Sequence, residues 1–254
     1  MSTNQGKTAA REGVTTRSDQ AGSSAPVARK PRRKVRCARE RILDAAQALF
    51  SAEGIQATTM RRITQLARVN LAAVNYYFCT KDDLARAVLA RDIDALNGKR
   101  LQILDEVEEA AGDGPPDLEA VLGALFIPEF RLYEEDRPFV RLCGRLRYEP
   151  DEKFHRFLVS RFEEVIRRFD VALTRALPDV PRKEILWRTH FLFGALIHTW
   201  LCPSDIEQIS VGLCSLSETK EVLEQFLAFG TAGFRAPAPA RQEGASIEIT
   251  GDRT

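Results

Sequence analysis

Apolar side chains recur at helical spacing from residue 42 onward, and the first stripe of them ends at residue 50. A charged run at residues 39–41 precedes this stripe, and Gly54 ends the helix that it predicts. The apolar face of the helix comprises Ile42, Ala45, Ala46, Leu49 and Phe50. One apolar face on an otherwise polar helix requires partners, so the pattern predicts further helices that pack against it.

The next residues predict two shorter helices separated by a tight turn. Thr58 or Thr59 can cap the first of them. We expect its apolar side to comprise Met60, Ile63, Leu66 and Ala67. The second begins at Leu71, and its Val74 and Phe78 are spaced to pack on the preceding helices. Its remaining side chains would then face outward.

A long fourth helix follows this short one. Thr80 with Asp83 three residues later forms a capping pattern at its start. Its apolar positions are Leu84, Val88, Ile93 and Leu96. Two short helices, a tight turn and a rigid exit helix are typical of a helix-turn-helix DNA-binding domain. The alternative is a set of packed helices with no role in nucleic-acid binding.

Residues 58 to 84 resemble the N-terminal motif of the TetR-type transcriptional regulators. The matching parts are TT, ITQLA, VNLAAVNYYF and TKDDL. The run NLAAVNYYF is most similar to the fatty-acid-responsive, PsrA-like subgroup. Three positions differ from the family pattern: Arg68 replaces a usual Gly, Tyr77 a frequent His, and Cys79 a usual Gly or Pro. A turn at Arg68 would require a left-handed conformation, which costs a non-glycine residue free energy.

The resemblance implies an all-α protein with an N-terminal three-helix helix-turn-helix head, joined by a long helix to an α-helical ligand-binding and dimerisation body. We expect a disordered basic arm at 1–35, the DNA-binding domain at 36–83, the body at 84–235 and a disordered tail at 236–254. Double-stranded operator DNA, a small-molecule effector and a second copy of the chain are the implied partners.

The outward positions of the third helix are the candidate DNA contacts. Asn75 can bond adenine, and Leu71 or Ala72 can contact a thymine methyl group. Four other side chains are better suited to phosphates. They are Thr59, Tyr76, Tyr77 and Lys81. In the arm, the basic residues Arg32, Arg33 and Lys34 can neutralise phosphates or enter a minor groove. A solvated tail that only aids solubility is the alternative for this basic run.

Five helical stretches are predicted in the body, at about 118–133, 138–147, 152–176, 182–201 and 217–234. The last two have more apolar surface than a small bundle readily buries, and such a surplus is typical of an interface. We expect these two helices to form a four-helix bundle with their mates in a homodimer. Its two third helices would then lie about 34 to 36 Å apart on a pseudo-palindromic target. Buried core helices of a monomer are the alternative.

The middle helices of the body are rich in phenylalanine, which by default is core. These residues could also line an apolar ligand cavity. The candidates are Phe126, Phe130, Phe139 and Phe157. Arg141 and Arg145 lie close to Phe139 in sequence and suit the anionic head of an amphiphile, such as a fatty acid or acyl-CoA. For Arg145 and Arg147, ion pairs with Glu149, Asp151 or Glu163 are the favoured alternative.

Composition narrows the remaining possibilities. The chain has 254 residues, 44% hydrophobic and 29% charged content, and a net charge of +1, which is typical of a globular protein. Five scattered cysteines and three histidines favour neither a disulfide framework nor a zinc site. A redox role for Cys79 is an alternative to an incidental cysteine. No segment predicts a membrane span or a signal peptide, so we expect a cytoplasmic, nucleoid-associated protein.

The features together with the resemblance predict a repressor that a small amphiphilic ligand releases from a pseudo-palindromic operator, and two other function classes are alternatives to it. An enzyme is disfavoured, because no Ser-His-Asp spacing, glycine-rich phosphate loop or paired-carboxylate pattern occurs, and no cofactor is predicted. The second alternative is a TetR-like DNA-binding protein that is constitutive or controlled by a protein partner.

Overall fold

The computed structural model describes residues 37–146 and 152–238, with the side chain of Lys153 excepted. Ten α-helices and their connections account for this part of the chain, and none of its residues lies in a strand. The all-α prediction is therefore confirmed. The predictions for the arm, including Arg32, Arg33 and Lys34, and for residues 239–254 of the tail lie outside the described residues, as do those for Arg147, Glu149 and Asp151.

The first four helices have the order and capping predicted from the sequence. They are α1 (Ala38–Glu53), α2 (Met60–Ala67), α3 (Leu71–Tyr77) and α4 (Lys81–Ala111). Thr59 caps α2 by accepting from the amide of Arg62 at 3.3 Å, and Asn70 caps α3 by accepting from the amide of Ala73 at 2.8 Å. Thr80 caps α4 by accepting from the amide of Asp83 at 3.0 Å. These caps satisfy amides at the helix starts that have no partner within the helix.

The turn between α2 and α3 takes the left-handed conformation that its sequence disfavours. Arg68 has φ 53° and ψ 50°, which is the left-handed conformation that a turn at this position was expected to require. The amide of Val69 donates to the carbonyl of Thr64 at 3.1 Å and closes the end of α2. The conformation costs Arg68 about 1 kcal/mol relative to glycine.

One prediction for α2 is wrong. Leu66 was assigned to the apolar side, but its side chain is 54% exposed. Thr64 takes the place beside Ile63 and Ala67 in the core, because these three positions lie closest to the direction of α1 on an eight-residue helix. Leu66 lies at the edge of the apolar stripe, outside the part of α2 that is buried against its neighbours.

The body comprises six helices, and the five predicted ones are present with small shifts of their ends. They are α5 (Leu118–Glu135), α6 (Arg137–Leu146), α7 (Glu152–Ala176), α8 (Arg182–Leu201) and α10 (Thr219–Arg235). The sequence analysis missed the seven-residue α9 (Pro203–Ile209), none of whose residues is buried, so it has no apolar stripe to predict it. α4 packs along both α5 and α7, and α10 packs on α5.

Two apolar cores stabilise this arrangement, and the first joins the head to the body. It combines residues of α1 to α4 with residues of α6 and the start of α7, including Phe139, Leu142 and Phe154. The second lies deeper in the body, between α5, α7, α8 and α10. The helix α6 therefore packs directly on α1 and connects the body to the head through this core.

Candidate DNA-binding surface and ligand cavity

The short helix α3 presents one buried and one exposed side. Val74 is fully buried and Phe78 is 5% exposed, so both dock onto the head as predicted. The exposed side comprises Leu71, Ala72, Asn75, Tyr76 and Tyr77. Tyr76 is 83% exposed, and its ring meets that of Tyr77 edge to face at 5.0 Å. A helix that exposes a leucine, an amide and two tyrosines while anchored by two apolar residues has the form of a major-groove helix.

Lys81 at the start of α4 holds the backbone next to this surface in place. Its ammonium donates to the carbonyls of Gln56 and Thr58 at 3.1 and 3.2 Å, which ties α4 to the connection between α1 and α2. An ammonium has three donors, so one remains for a phosphate oxygen. The hydroxyl of Thr59, which accepts from an amide as the α2 cap, likewise keeps its proton to donate.

A polar cluster links α1 to α4 and to the start of α6. The guanidinium of Arg91 donates to Asp44 at 2.9 Å, to Asp92 at 3.0 Å and to Gln47. Gln47 in turn donates to the carboxylate of Asp136 at 2.7 Å. Two carboxylates therefore bond one guanidinium at the junction of the head and the body, and Gln47 connects a third carboxylate to it.

Asp92 is the carboxylate of this cluster whose surroundings disfavour its negative charge. Burial raises the pKa of its carboxyl, the charge and hydrogen bond of Arg91 lower it, and Asp136 and Asp44 raise it further, with a net upward shift. Its Oδ2 atom is buried and has no hydrogen-bond partner in the described part of the chain. The folded protein thus favours the protonated form of Asp92 more than the unfolded chain does.

This shift predicts how an Asp92→Asn variant responds to pH. Since the folded pKa exceeds the unfolded one, ionisation of Asp92 destabilises the native protein as pH rises through the folded pKa, and the cost vanishes below the unfolded pKa. We expect the stability of Asp92→Asn relative to the parent to increase between about pH 3 and pH 7, as measured by urea unfolding. Asp113→Asn, in the exposed loop after α4, is the control, and a pH-independent difference for Asp92→Asn would contradict the assignment.

The body contains a small cavity of about 60 Å³ between α4, α5, α6, α7 and α8. Its wall is mostly apolar, with Phe139, Val140, Cys143 and Gly144 of α6 forming one side. Glu129 is the charged residue in its lining, and Trp200 closes it from α8. The cavity thus lies against the helix that also contacts α1.

A buried ionic network stands behind this cavity. Arg100 is fully buried, and its Nε donates to the carbonyl of Leu125 at 2.7 Å. Its guanidinium also bonds the carboxylate of Glu129 and the side chain of Asn97. Asn97 donates to the carbonyl of Arg161 at 2.7 Å, so the network joins α4, α5 and α7. Buried charges require such pairing, because an isolated one is costly in an apolar interior.

A larger groove of about 280 Å³ lies between α7 and α8. It includes apolar residues of both helices together with Asp170, Thr189 and His190. Phe162 and Phe193 line both this groove and the cavity, so their rings separate the two spaces.

Of the six residues predicted to contact a ligand, the structure places Phe139 in the wall of the cavity. Phe126 and Phe130 are buried and pack on Phe226, at ring distances of 5.0 and 5.6 Å, as the core assignment requires. Phe157 is half-buried beside the first core. Arg141 and Arg145 are exposed on α6, away from the lining of both spaces. Arg145 donates to the carbonyl of Arg141 at 3.3 Å, and no ion pair with Glu163 forms among the described residues.

Sequence reasoning missed Arg100 and Glu129. A signal for Arg100 was present, because it falls on the apolar stripe of α4 at the spacing of Ile93, Leu96 and Leu104. A charged residue within such a stripe indicates a buried ionic partner. The identity of that partner depends on the packing of α5 and cannot be read from α4 alone.

The surplus apolar surface of α8 and α10 is divided between the core and the exterior. Trp187 and Phe191 are 49% and 64% exposed, and their rings stack at 5.6 Å. With Gly194 and His198 they form an exposed stripe at helical spacing. On α10, Phe229 is 68% exposed between small residues, and the Cβ positions of Gly194 and Gly233 face open space.

No described helix is both long enough and apolar enough to cross a membrane. Among the described residues, the five cysteines are free, and Cys79 is exposed.

Comparison with known proteins agrees with this architecture. Residues 42–88 match the family described as bacterial regulatory proteins of the tetR family. Residues 123–233 match a tetracyclin repressor-like C-terminal domain. No curated protein is significantly similar to the chain in sequence.

Solved structures with the same fold include two regulators named FadR. FadR of Bacillus halodurans, a fatty acid degradation regulator, aligns over 80% of this chain and 100% of its own, with 14% identity and a TM-score of 0.57. FadR of Bacillus subtilis, solved in complex with stearoyl-CoA, covers 74% of this chain and 97% of its own, with 15% identity and a TM-score of 0.53.

A TetR-family regulator from Bordetella parapertussis covers 80% of this chain and 98% of its own, with 17% identity and a TM-score of 0.56. Identities this low establish the fold, while the two sequence matches establish the relationship. The chain belongs to the TetR family of bacterial regulatory proteins.

Proposed function

We propose that this protein is a sequence-specific, dimeric transcriptional repressor that a small amphiphile releases from a pseudo-palindromic operator. The observation that carries the proposal is the exposed side of α3, which stands on a fully packed head that continues into the 31-residue helix α4. A rigidly held helix of this kind can insert into a major groove without the loss of conformational entropy that ordering a flexible segment would cost.

We assign specific roles to the exposed residues of α3. Asn75 reads adenine through its side-chain amide, and Leu71 and Ala72 contact thymine methyl groups. Tyr76, Tyr77, Thr59 and Lys81 contact phosphates and fix the position of the helix on the duplex. The basic arm with Arg32, Arg33 and Lys34 adds salt-dependent affinity.

Two alanine substitutions, one at a base-reading residue and one at a phosphate-binding residue, distinguish these roles. We expect Asn75→Ala to change which base is preferred at one position in each half-site, since a good base contact supplies about 1–3 kcal/mol of discrimination. Lys81→Ala should weaken binding to all sequences alike and lower the salt dependence. Both are measured by selection from a randomised operator library and by titration at several salt concentrations. The role assignment fails if Asn75→Ala keeps the parental sequence preference.

The second part of the proposal concerns release. A ligand that enlarges the cavity of about 60 Å³ must displace α6, whose residues form one of its sides. Because α6 packs on α1 and α4 continues from the head, such a change alters the separation of the two α3 helices. Ligand pockets are commonly a few hundred Å³, so binding of an amphiphile here would require the cavity to enlarge.

Fatty acids and acyl-CoA are the first effectors to test. The support is the apolar lining of the cavity and groove, together with the similarity of the fold to FadR, one of whose structures contains stearoyl-CoA. The alternative, control by a protein partner or none, predicts that no small amphiphile changes DNA binding.

The dimer is proposed to form through α8 and α10. The exposed stripe of Trp187, Phe191, Gly194 and His198 on α8, and Phe229 on α10, would be buried against the same residues of the second copy. The open space at Gly194 and Gly233 allows the helices of a partner to approach closely.

A further inference from the structure

One residue in the wall of the body cavity has an unsatisfied hydrogen-bond donor. Trp200 lines the cavity and is 2% exposed, yet its indole Nε1–H has no hydrogen-bond partner among the described residues. Buried tryptophans usually place this N–H on an acceptor, because an unpaired buried donor is costly. Here the described residues around the indole provide no acceptor for this N–H.

The Trp200 ring cannot easily turn to find an acceptor elsewhere. It stacks on Tyr133 with ring centroids 3.9 Å apart and meets Phe130 edge to face at 4.7 Å. Both of these rings are themselves buried. The indole is therefore held in place between α5 and the end of α8.

An acceptor shares the wall of the same cavity. Glu129 contributes a carboxylate whose Oε2 is bonded by Arg100, while no described residue bonds its Oε1. Arg100 is fully buried behind Glu129 and is engaged by Leu125 and Asn97 as well. The residues of the cavity wall thus include Trp200, which has an unpaired donor, and Glu129, which has an acceptor, in an otherwise apolar lining.

We propose that this cavity is the head-group end of the effector site, and that it takes an uncharged group that both accepts and donates a hydrogen bond, as an alcohol or a primary amide does. The inference rests on the proposed function and narrows its ligand class. The ligand's oxygen accepts from Trp200 Nε1, and its O–H or N–H donates to Glu129.

A fatty acid carboxylate fits this pair less well. It has no proton to donate to Glu129, and two carboxylates at close range repel each other in a buried site. The compensating charge of Arg100 is already bonded to Glu129. An ionised head group would therefore remain outside, with only its chain inserted.

The apolar part of the ligand has a defined path. Phe162 and Phe193 separate the cavity from the groove between α7 and α8. A shift of these two rings joins the spaces, so a chain that starts at Trp200 extends into the groove of about 280 Å³ along Val165 and Phe169.

The chain offers a matched pair of variants for the test, because it has two tryptophans, Trp187 and Trp200. Octanol, octanamide and octanoate share one chain length and differ in the head group. Binding of each to the full-length protein is measured by calorimetry at neutral pH for the parent, Trp200→Phe and Trp187→Phe. The Trp187→Phe variant leaves Trp200 as the only indole, so quenching of its emission reports occupancy of the cavity directly.

We expect octanol and octanamide to bind at least tenfold more tightly than octanoate. Trp200→Phe should weaken octanol binding about tenfold, the value of one hydrogen bond. Trp187→Phe keeps an aromatic ring in the proposed dimer interface and lies outside the lining of both spaces, so it should leave octanol binding unchanged. If Trp200→Phe does not fold, the order of the three affinities in the parent protein decides whether the inference holds.

Equal or tighter binding of octanoate, or octanol binding that ignores Trp200→Phe, overturns the inference. So does the absence of binding by all three probes, which would leave the cavity as a site for water alone. None of these results bears on whether the protein binds an operator, so the proposed function is judged separately by DNA binding.

Discussion

Replacing Phe191 by glutamate is expected to convert the protein from a dimer into a monomer. Phe191 is 64% exposed at the centre of the α8 stripe, and its ring stacks on Trp187. A glutamate there would place two like charges near the two-fold axis of the proposed interface and remove two buried aromatic rings. Sedimentation velocity at micromolar concentration measures the change directly.

The same substitution should reduce operator affinity 100-fold or more. A dimer engages its second half-site at a high effective concentration, and a monomer loses that advantage. Val171→Glu is the control, since Val171 is 49% exposed on α7 and lies outside the α8 and α10 surface. If the Phe191→Glu variant remains a dimer, the interface lies elsewhere. The same follows if Val171→Glu disrupts the dimer to the same extent.

Removing the carboxylate of Glu129 is expected to destabilise the body strongly. Glu129→Ala removes the carboxylate that forms an ion pair with the fully buried guanidinium of Arg100. Breaking a buried ion pair on one side costs about 3 kcal/mol or more, because the remaining charge stays desolvated. Urea unfolding monitored by circular dichroism measures the loss of unfolding free energy.

Two further variants isolate the cause of this loss. Glu164→Ala removes the acidic partner of a surface pair with Arg167 on α7 and should leave the stability nearly unchanged. Arg100→Met combined with Glu129→Met removes both charges and should be far less destabilising than Glu129→Ala alone. A double variant as unstable as the single one would show that packing, and not the unpaired charge, determines the loss.

The order of the helices and the capping of the head could be predicted from the sequence, because they depend on local signals. The caps at Thr59, Thr80 and Gly54 and the anchors Val74 and Phe78 follow from residue type and spacing alone. The same holds for the five long helices of the body, whose apolar stripes extend over several turns.

The errors occur where the outcome depends on neighbouring helices. Leu66 belongs to the apolar stripe of α2 by composition, yet only the position of α1 determines that Thr64 is covered instead. The helix α9 packs too little to leave a periodic pattern. Arg68 adopts a left-handed turn that its own preference opposes, because the packing of α2 and α3 supplies the difference.

The ligand cavity was the least predictable part of the structure. Phenylalanine content alone does not distinguish Phe139, which lines the cavity, from Phe126 and Phe130, which fill the core. Trp200 on α8 and Glu129 on α5 both line the cavity although 71 residues separate them in sequence, and no local pattern connects them. Such a shared wall forms only once the helices are packed.

The central claim is that α3 reads a specific DNA sequence in a two-fold arrangement. Sequencing of genomic fragments retained by the purified full-length protein at physiological salt tests it most directly. The account predicts enrichment of one pseudo-palindrome whose half-site centres lie about one helical turn, or a multiple of it, apart. Retention that is uniform across sequences and disappears as salt increases would contradict it, because the basic residues alone would then hold the DNA.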